Sequence, residues 1–294
     1  FIPAYSQKVK ASKEFQTFQF DHSFVLNSLK SSMEGYVFHN QPLDTDDLLE
    51  QTVKLFNSCK TSLELFDMLH NMRAYDDSTY AHSLNVALIC RRIGKWLKVD
   101  AATLDTLTLC GLLHDIGKLK IPDEILNKPD KYTDEEFDLV KRHTKFGYEL
   151  LKTLNIDPHI KKAALLHHER CDGSGYPLKA TQKDLDDFSM VVAIADVYDA
   201  MTAARSYRAP LCPFQVIERF EQEGLQKYKP KFILTFLQHI ASTYQNNRVL
   251  LSNGQSANIV MLNQQHLARP IVQLNDNSCI DLSTRLDLHI QSIL

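Results

Sequence analysis

No CxxC pair occurs among the six cysteines (59, 90, 110, 171, 212 and 279), which excludes a zinc ribbon and a spaced disulfide framework. Cys90 and Cys110 fall within apolar helical patterns, where a free thiol behaves as a small hydrophobe. This usage fits a reducing, cytoplasmic setting. A basic surplus is also missing. The net charge of -3 argues against a binder of polymeric nucleic acid, which needs a basic patch or stripe. No apolar run approaches the ~20 residues of a spanning helix, so no membrane segment is expected. Tandem repeats and low-complexity segments are absent. The opening Phe1-Ile2-Pro3 has neither a methionine nor a signal-peptide layout, as in a piece of a longer chain or a processed one.

What remains is an ordinary globular composition, 44% hydrophobic and 23% charged over 294 residues, enough for a full core and more than one domain. Three regions stand out. Residues 1–75 form an N-terminal helical region, helical from about residue 18. Its apolar residues Leu48, Leu49, Val53, Leu55, Phe56, Leu63, Leu65, Phe66 and Leu69 keep near-helical spacing, with a break over Asn57–Ser62. Residues 76–244 read as helices separated by short breaks, without period-2 strands. Thr133 and Glu136 signal a capping box for a helix running through His143 to about Leu154. Asp157-Pro158 opens another helix ending in His167-His168, and Pro213 and Pro230 mark two further starts. Residues 245–294 change texture. Short β-prone runs at 249–251, 258–262 and 271–274, split by Asn- and Gly-rich turns, predict a small β-rich appendage. The fold class is therefore mainly α.

The chemistry gathers in the middle region. His167-His168-Glu169 is followed at once by Arg170-Cys171-Asp172-Gly173-Ser174-Gly175-Tyr176-Pro177. Adjacent imidazoles are costly to bury unless something binds them, and glycines let backbone approach a ligand closely. His82, His114 and His143 lie on or at the ends of predicted helices, and Asp115 follows His114. Asp196 interrupts the apolar run Val191–Val197, where an aspartate must be paired or bound to a metal. Each residue alone reads more readily as a core histidine or a cap; together they reverse those odds.

Seven candidate ligands are too many for one ion that must keep open positions. Two ions sharing Asp115 would use four each: His82, His114, Asp115 and Asp196 for one, Asp115, His143, His167 and His168 for the other. This is the layout of a two-metal hydrolase, with ions about 3.5–4 Å apart. Nitrogen and oxygen ligands without thiolate favour iron or manganese, with zinc also compatible.

At these residues the chain resembles a known family. His114-Asp115-Ile116-Gly117-Lys118, with the flanking histidines and Asp196, is similar to the HD phosphohydrolase signature. Residues 167–177 match the HHExxDGxGYP pattern of the HD-GYP subfamily, and the resemblance covers roughly residues 76–240. It implies an all-helical HD-domain bundle around a bimetallic, sometimes trimetallic, iron or manganese centre. It further implies a bacterial, cytoplasmic-facing phosphodiesterase that hydrolyses cyclic di-GMP to pGpG and often on to GMP.

By the same resemblance Asp115 and Lys118 are catalytic, and Lys118 contacts phosphate. Arg205 and Arg208 correspond to two basic residues that follow the last ligand. One turn from His114, Lys118 can face the same site, and the two arginines offer forked donors for a second phosphate. Gly173, Gly175, Tyr176 and Pro177 would line the substrate, with Tyr176 against a base or phosphate. Glu169 is expected to accept from a ligand histidine N–H. Members with a third metal carry a glutamate one turn before the first histidine; here that position is Ser78, and Asp77 points away from that face, which favours two ions.

Two other readings fit the same residues: an HD phosphohydrolase for another nucleotide, and a non-catalytic cyclic di-GMP receptor. The complete loop weighs against the first, and the intact ligand set against the second. The apolar faces of the N-terminal helices suit a homodimer.

Overall fold

The computed structural model describes residues 5–72, 78–128, 130–203 and 211–294. Helix starts before the expected residue 18, with α1 (Tyr5–Ala11) and α2 (Lys13–His39), followed by α3 (Thr45–Ser58) and α4 (Ser62–Met72). The break between the last two falls where the Asn- and Ser-rich stretch put it. Ser12 and Asp44 start α2 and α3 by accepting the backbone N–H groups of Phe15 and Asp47.

In the middle region α5 (Thr79–Trp96), α6 (Ala101–Leu113) and α11 (Asp187–Thr202) carry buried residues on nearly every side, as helices enclosed by others do. Around them lie a 3₁₀ segment (Ile116–Lys120), α7 (Asp123–Leu126), α8 (Asp134–Lys141), α9 (His143–Leu151), α10 (Pro158–Leu166), α12 (Pro213–Glu223) and α13 (Pro230–Thr243). Prolines open α10, α12 and α13, and the Thr133–Glu136 capping box is formed in both directions.

Two expectations need correction here. The helix that the capping box opens does not continue through His143. Arg142 N–H bonds to Leu139 O, and His143 Nδ1 takes Val140 O, so the last turn tightens and a new helix begins at His143. Nor are all the breaks short: residues 167–186 form a long loop, with a single bridge between Asp172 and Thr181. Long ordered loops of this kind are commonly functional.

The C-terminal region is an antiparallel sheet of β1 (Arg248–Leu251), β2 (Ser256–Met261), β3 (Ile271–Leu274), β4 (Cys279–Asp281) and β5 (Ile290–Ile293), ordered β4-β3-β2-β1-β5. Three of these strands lie on the anticipated runs; β4 and β5 were not anticipated. The sheet shares one apolar core with the helices, through Phe214 and Ile217 on α12 and Val249, Ile259 and Ile290 on the strands. Arg269 reinforces the junction by donating to Glu218 Oε1 at 2.7 Å and Leu288 O at 2.8 Å.

The N-terminal helices bring one titratable oddity. Asp67 on α4 is buried and accepts the Tyr5 hydroxyl of α1. Burial pushes its pKa up from 3.8 to about 6, while the Tyr5 bond opposes the rise. The folded state therefore holds a proton that the unfolded chain releases, and stability from this group falls as pH rises from about 4 to 6. Asp67→Asn removes that dependence. Between pH 5 and 7.5 the variant should gain roughly 1–2 kcal/mol relative to the wild type in urea unfolding. Parallel stability–pH curves for the two proteins would contradict the assignment.

Candidate metal centre

Helix ends place most of the polar cluster. His82 lies in the first turns of α5, His114 caps the C-terminus of α6, and Asp115 precedes the 3₁₀ segment. His143 opens α9, His167 caps α10 with His168 following, and Asp196 sits mid-way along α11. Three of the rings are aimed by helix carbonyls just before them in the chain: Nδ1 of His114, His143 and His167 donates to Gly111 O, Val140 O and Ala163 O at 2.7, 2.7 and 2.9 Å. The Nε2 lone pair of each then points inward.

Asp115 is the hub. Its Oδ2 lies 3.2 Å from His114 Nε2 and 3.6 Å from His82 Nε2. Its Oδ1 lies 3.3 Å from His143 Nε2 and 3.6 Å from His167 Nε2. The two oxygens thus face two groups of side chains that could each hold an ion, His82–His114–Asp115 and Asp115–His143–His167–His168; the first lacks the Asp196 that ligand counting assigned to it. Asp196 spans both, with Oδ1 3.0 Å from His82 Nε2 and Oδ2 3.8 Å from His168 Nδ1. Lys118 Nζ donates to Asp115 Oδ2 at 2.6 Å and keeps about a fifth of its side chain exposed at the rim.

Burial strips water from the imidazoles and lowers His143 to about 3 and His82 to about 4; His167 and His168 also fall below the ordinary histidine value. His114 is the exception: burial opposes its charge, but the adjacent Asp115 carboxylate outweighs that and raises its pKa. Burial likewise opposes ionisation of Asp115 and Asp196. Neighbouring His114 and Lys118 in the first case, and His82 and His168 in the second, hold both well below the usual carboxylate range.

The donor set fits a cation. Among the described residues, His114 Nε2 and Asp115 Oδ1 are buried with no hydrogen-bond partner. His143 Nε2 and His167 Nε2 face each other at 3.2 Å although both Nδ1 atoms already carry the proton. Two opposed lone pairs repel unless a positive ion attracts both. This buried His/Asp cluster is suited to divalent metal binding.

The glycine-rich loop closes one side. Tyr176 stacks on His168, with ring centroids 4.7 Å apart and planes at 24°, and Phe137 stands beyond it at 6.5 Å. Gly173 is in the left-handed region at φ +77°. At Gly175 a Cβ would lie 2.4 Å from Glu169 Cα and 2.5 Å from His168 O, so only glycine lets the loop fold back onto the ligand pair.

Glu169 differs from expectation. Instead of accepting from a histidine, it accepts the backbone N–H groups of Leu178 and Ala180, at 2.5 and 3.0 Å, and so latches the loop that carries Gly173, Gly175, Tyr176 and Pro177. The acceptor for a ligand histidine is Asp199, whose Oδ2 lies 2.6 Å from His82 Nδ1. Sequence reasoning missed it, although the argument used for Asp196 applies equally to a second acid three residues on in the same apolar helix. Ser78, at the position of the third-metal glutamate, caps α5 by accepting Ala81 N–H. Arg205, Arg208 and Asp77 lie outside the described residues.

A family model described as HD domain matches residues 47–232, more than half of the chain. The chain belongs to the HD domain family. Within that family, residues 167–177 give it the HD-GYP form of the site. A cyclic di-GMP phosphodiesterase of Pseudomonas aeruginosa is 32% identical over 207 residues, 70% of this chain and 50% of that protein. Another from Thermotoga maritima is 35% identical, covering 60% and 48%. A 3'3'-cGAMP-specific phosphodiesterase of Vibrio cholerae is 34% identical, covering 61% and 35%. The chain thus spans half or less of the length of these curated relatives. An HDG"Y"P protein from Bdellovibrio bacteriovorus shares the HD fold at 18% identity, with a TM-score of 0.62 over 80% of this chain and 74% of that one. No helix among the described residues is long and apolar enough to cross a membrane.

Proposed function

We propose that this chain is a metal-dependent phosphodiesterase that hydrolyses cyclic di-GMP to pGpG, using two divalent ions, iron or manganese before zinc. The observation that carries this reading is the division of the Asp115 carboxylate between two imidazole sets beside the Tyr176 loop. One ion would be held by His82, His114, Asp115 and Asp196, the other by Asp115, His143, His167 and His168. When bound, such a pair activates water and neutralises phosphoryl charge.

The chain's own groups do the rest. The helix carbonyls that hold Nδ1 of His114, His143 and His167 fix those rings, so the donor set is pre-organised. Lys118, at the rim beside Asp115, supplies a positive charge to a phosphoryl oxygen as water adds to phosphorus and the O3′–P bond breaks. The stacked Tyr176 and His168 offer a flat wall for a base, and Gly173, Gly175 and Pro177 bring the backbone close to it. In this reading Arg205 and Arg208 hold the second phosphate. Six free cysteines support a reducing, cytoplasmic setting, and exposed Phe20 and Phe24, one turn apart on α2, support a homodimer.

The relatives' names favour a cyclic dinucleotide and differ on which one. Anaerobically purified protein, loaded with iron or manganese, should convert cyclic di-GMP faster than 3'3'-cGAMP or cyclic di-AMP when products are resolved by chromatography. Turnover of nucleoside triphosphates with none of any cyclic dinucleotide would overturn the proposal.

A further inference from the structure

A line of buried polar contacts leaves the metal centre and ends on the N-terminal helix α2. His82 Nδ1 lies 2.6 Å from Asp199 Oδ2, and Asn85 Nδ2 donates to Asp199 Oδ1 at 3.2 Å. Asn85 Oδ1 is in turn 3.2 Å from His22 Nε2. His22, Asn85 and Asp199 are each at most 2% exposed. The line joins α2, α5 and α11, and His22 lies before the residues that the HD domain model matches.

Ionised Asp199 would set the direction of every bond in this line. An ionised carboxylate only accepts, so the protons belong to His82 Nδ1 and Asn85 Nδ2. The amide oxygen of Asn85 then faces His22, whose Nε2 must donate. With its Nδ1 protonated, His82 turns a Nε2 lone pair toward Asp196 and Asp115. Unlike His114, His143 and His167, which lean on backbone carbonyls three or four residues before them, His82 is held by a carboxylate from α11.

Apolar side chains would pack three helices at lower desolvation cost than an imidazole, an amide and a carboxylate. The polar set therefore calls for a role other than packing. We propose that Asp199, Asn85 and His22 are positioning residues that orient His82, and that α2 is coupled through them to the ion held by the His82 set. The inference rests on reading His82 as a metal ligand.

The test uses the full chain, stripped with a chelator and titrated with Mn2+ alone, with free Mn2+ followed by electron paramagnetic resonance. The wild type should take up two ions. Asp199→Asn, which puts an amide donor where two acceptor oxygens are needed, should weaken one ion by about 10- to 100-fold and leave the other unchanged. His22→Leu should weaken that same ion by about 10-fold, whereas His22→Gln, which can still donate to Asn85, should stay within about twofold of the wild type. Asn85→Ser cuts the line at its middle without adding bulk and must weaken the same ion, which keeps the test decisive if His22→Leu does not fold.

Equal weakening of both ions, no change in Asn85→Ser, or failure of His22→Gln to rescue would each overturn the relay. All three leave the metal centre itself standing. A wild-type chain that binds no Mn2+ would overturn the metal reading, and the relay with it.

Discussion

Asp115→Ala is expected to lose metal and turnover together while the helical bundle still forms. Asp115 faces both imidazole sets with its two oxygens, at 3.2 Å from His114 and 3.3 Å from His143. Removing it deprives each proposed ion of a ligand and leaves His114, His143 and His167 without the carboxylate they face. Even a group that only orients a ligand typically changes metal affinity by about 10- to 100-fold, so losing a shared ligand should reduce turnover by at least about 100-fold. Lys118 loses its 2.6 Å partner as well, but its ammonium sits at the rim and can turn to water. Elemental analysis of the purified variant beside a product assay and circular dichroism checks this. Normal turnover with Asp115 gone would remove the basis for the centre.

The second large effect concerns a residue with no side chain. Gly117→Ala would put a Cβ 2.0 Å from His143 O and 2.4 Å from Gly147 N. Both are backbone atoms, so no rotamer change can relieve the overlap; the 3₁₀ segment and α9 must separate. Overpacking of this kind typically costs about 1–3 kcal/mol, and backbone contacts belong at the upper end. A melting temperature lower by about 4–8 °C is expected. The separation would also pull His143 from Asp115, because one stands on each side of the contact. Metal held by the His143 set should weaken more than metal held by the His82 set. A melting temperature within 1 °C of the wild type would mean that the close approach does not exist.

Much of the site was legible because charge in an apolar run has few physical excuses. Asp115 after a buried helix and Asp196 within Val191–Val197 declared themselves in that way. The helical core and the C-terminal change of texture were equally readable from periodicity and turns. Less was visible where tertiary contact overrides local pattern. The capping box at Thr133 was read correctly, yet the helix stops at Arg142. That break depends on tight bonds to Leu139 O and Val140 O, and periodicity carries no trace of them. From sequence Glu169 reads as an acceptor for a ligand histidine N–H. Its real partners, Leu178 and Ala180, come within reach only after the loop has doubled back past Gly175. Strand β4 is only three residues long, and Gln291-Ser292 interrupts the apolar residues of β5, so neither shows a β-prone run before its neighbours are known.

The six elements that meet at the cluster come from a long span of sequence, between His82 on α5 and Asp196 on α11. Ions held there tie the bundle together, much as a staple closes loops that water and entropy would otherwise open. Binding to the folded chain alone adds stability by mass action, about 2.7 kcal/mol when free metal stands at a hundred times its dissociation constant. On the proposed reading, metal supply thus governs how long each molecule survives proteolysis as well as how fast it works. Under that same proposal, a shortage of metal would remove the folded chain together with its hydrolytic activity.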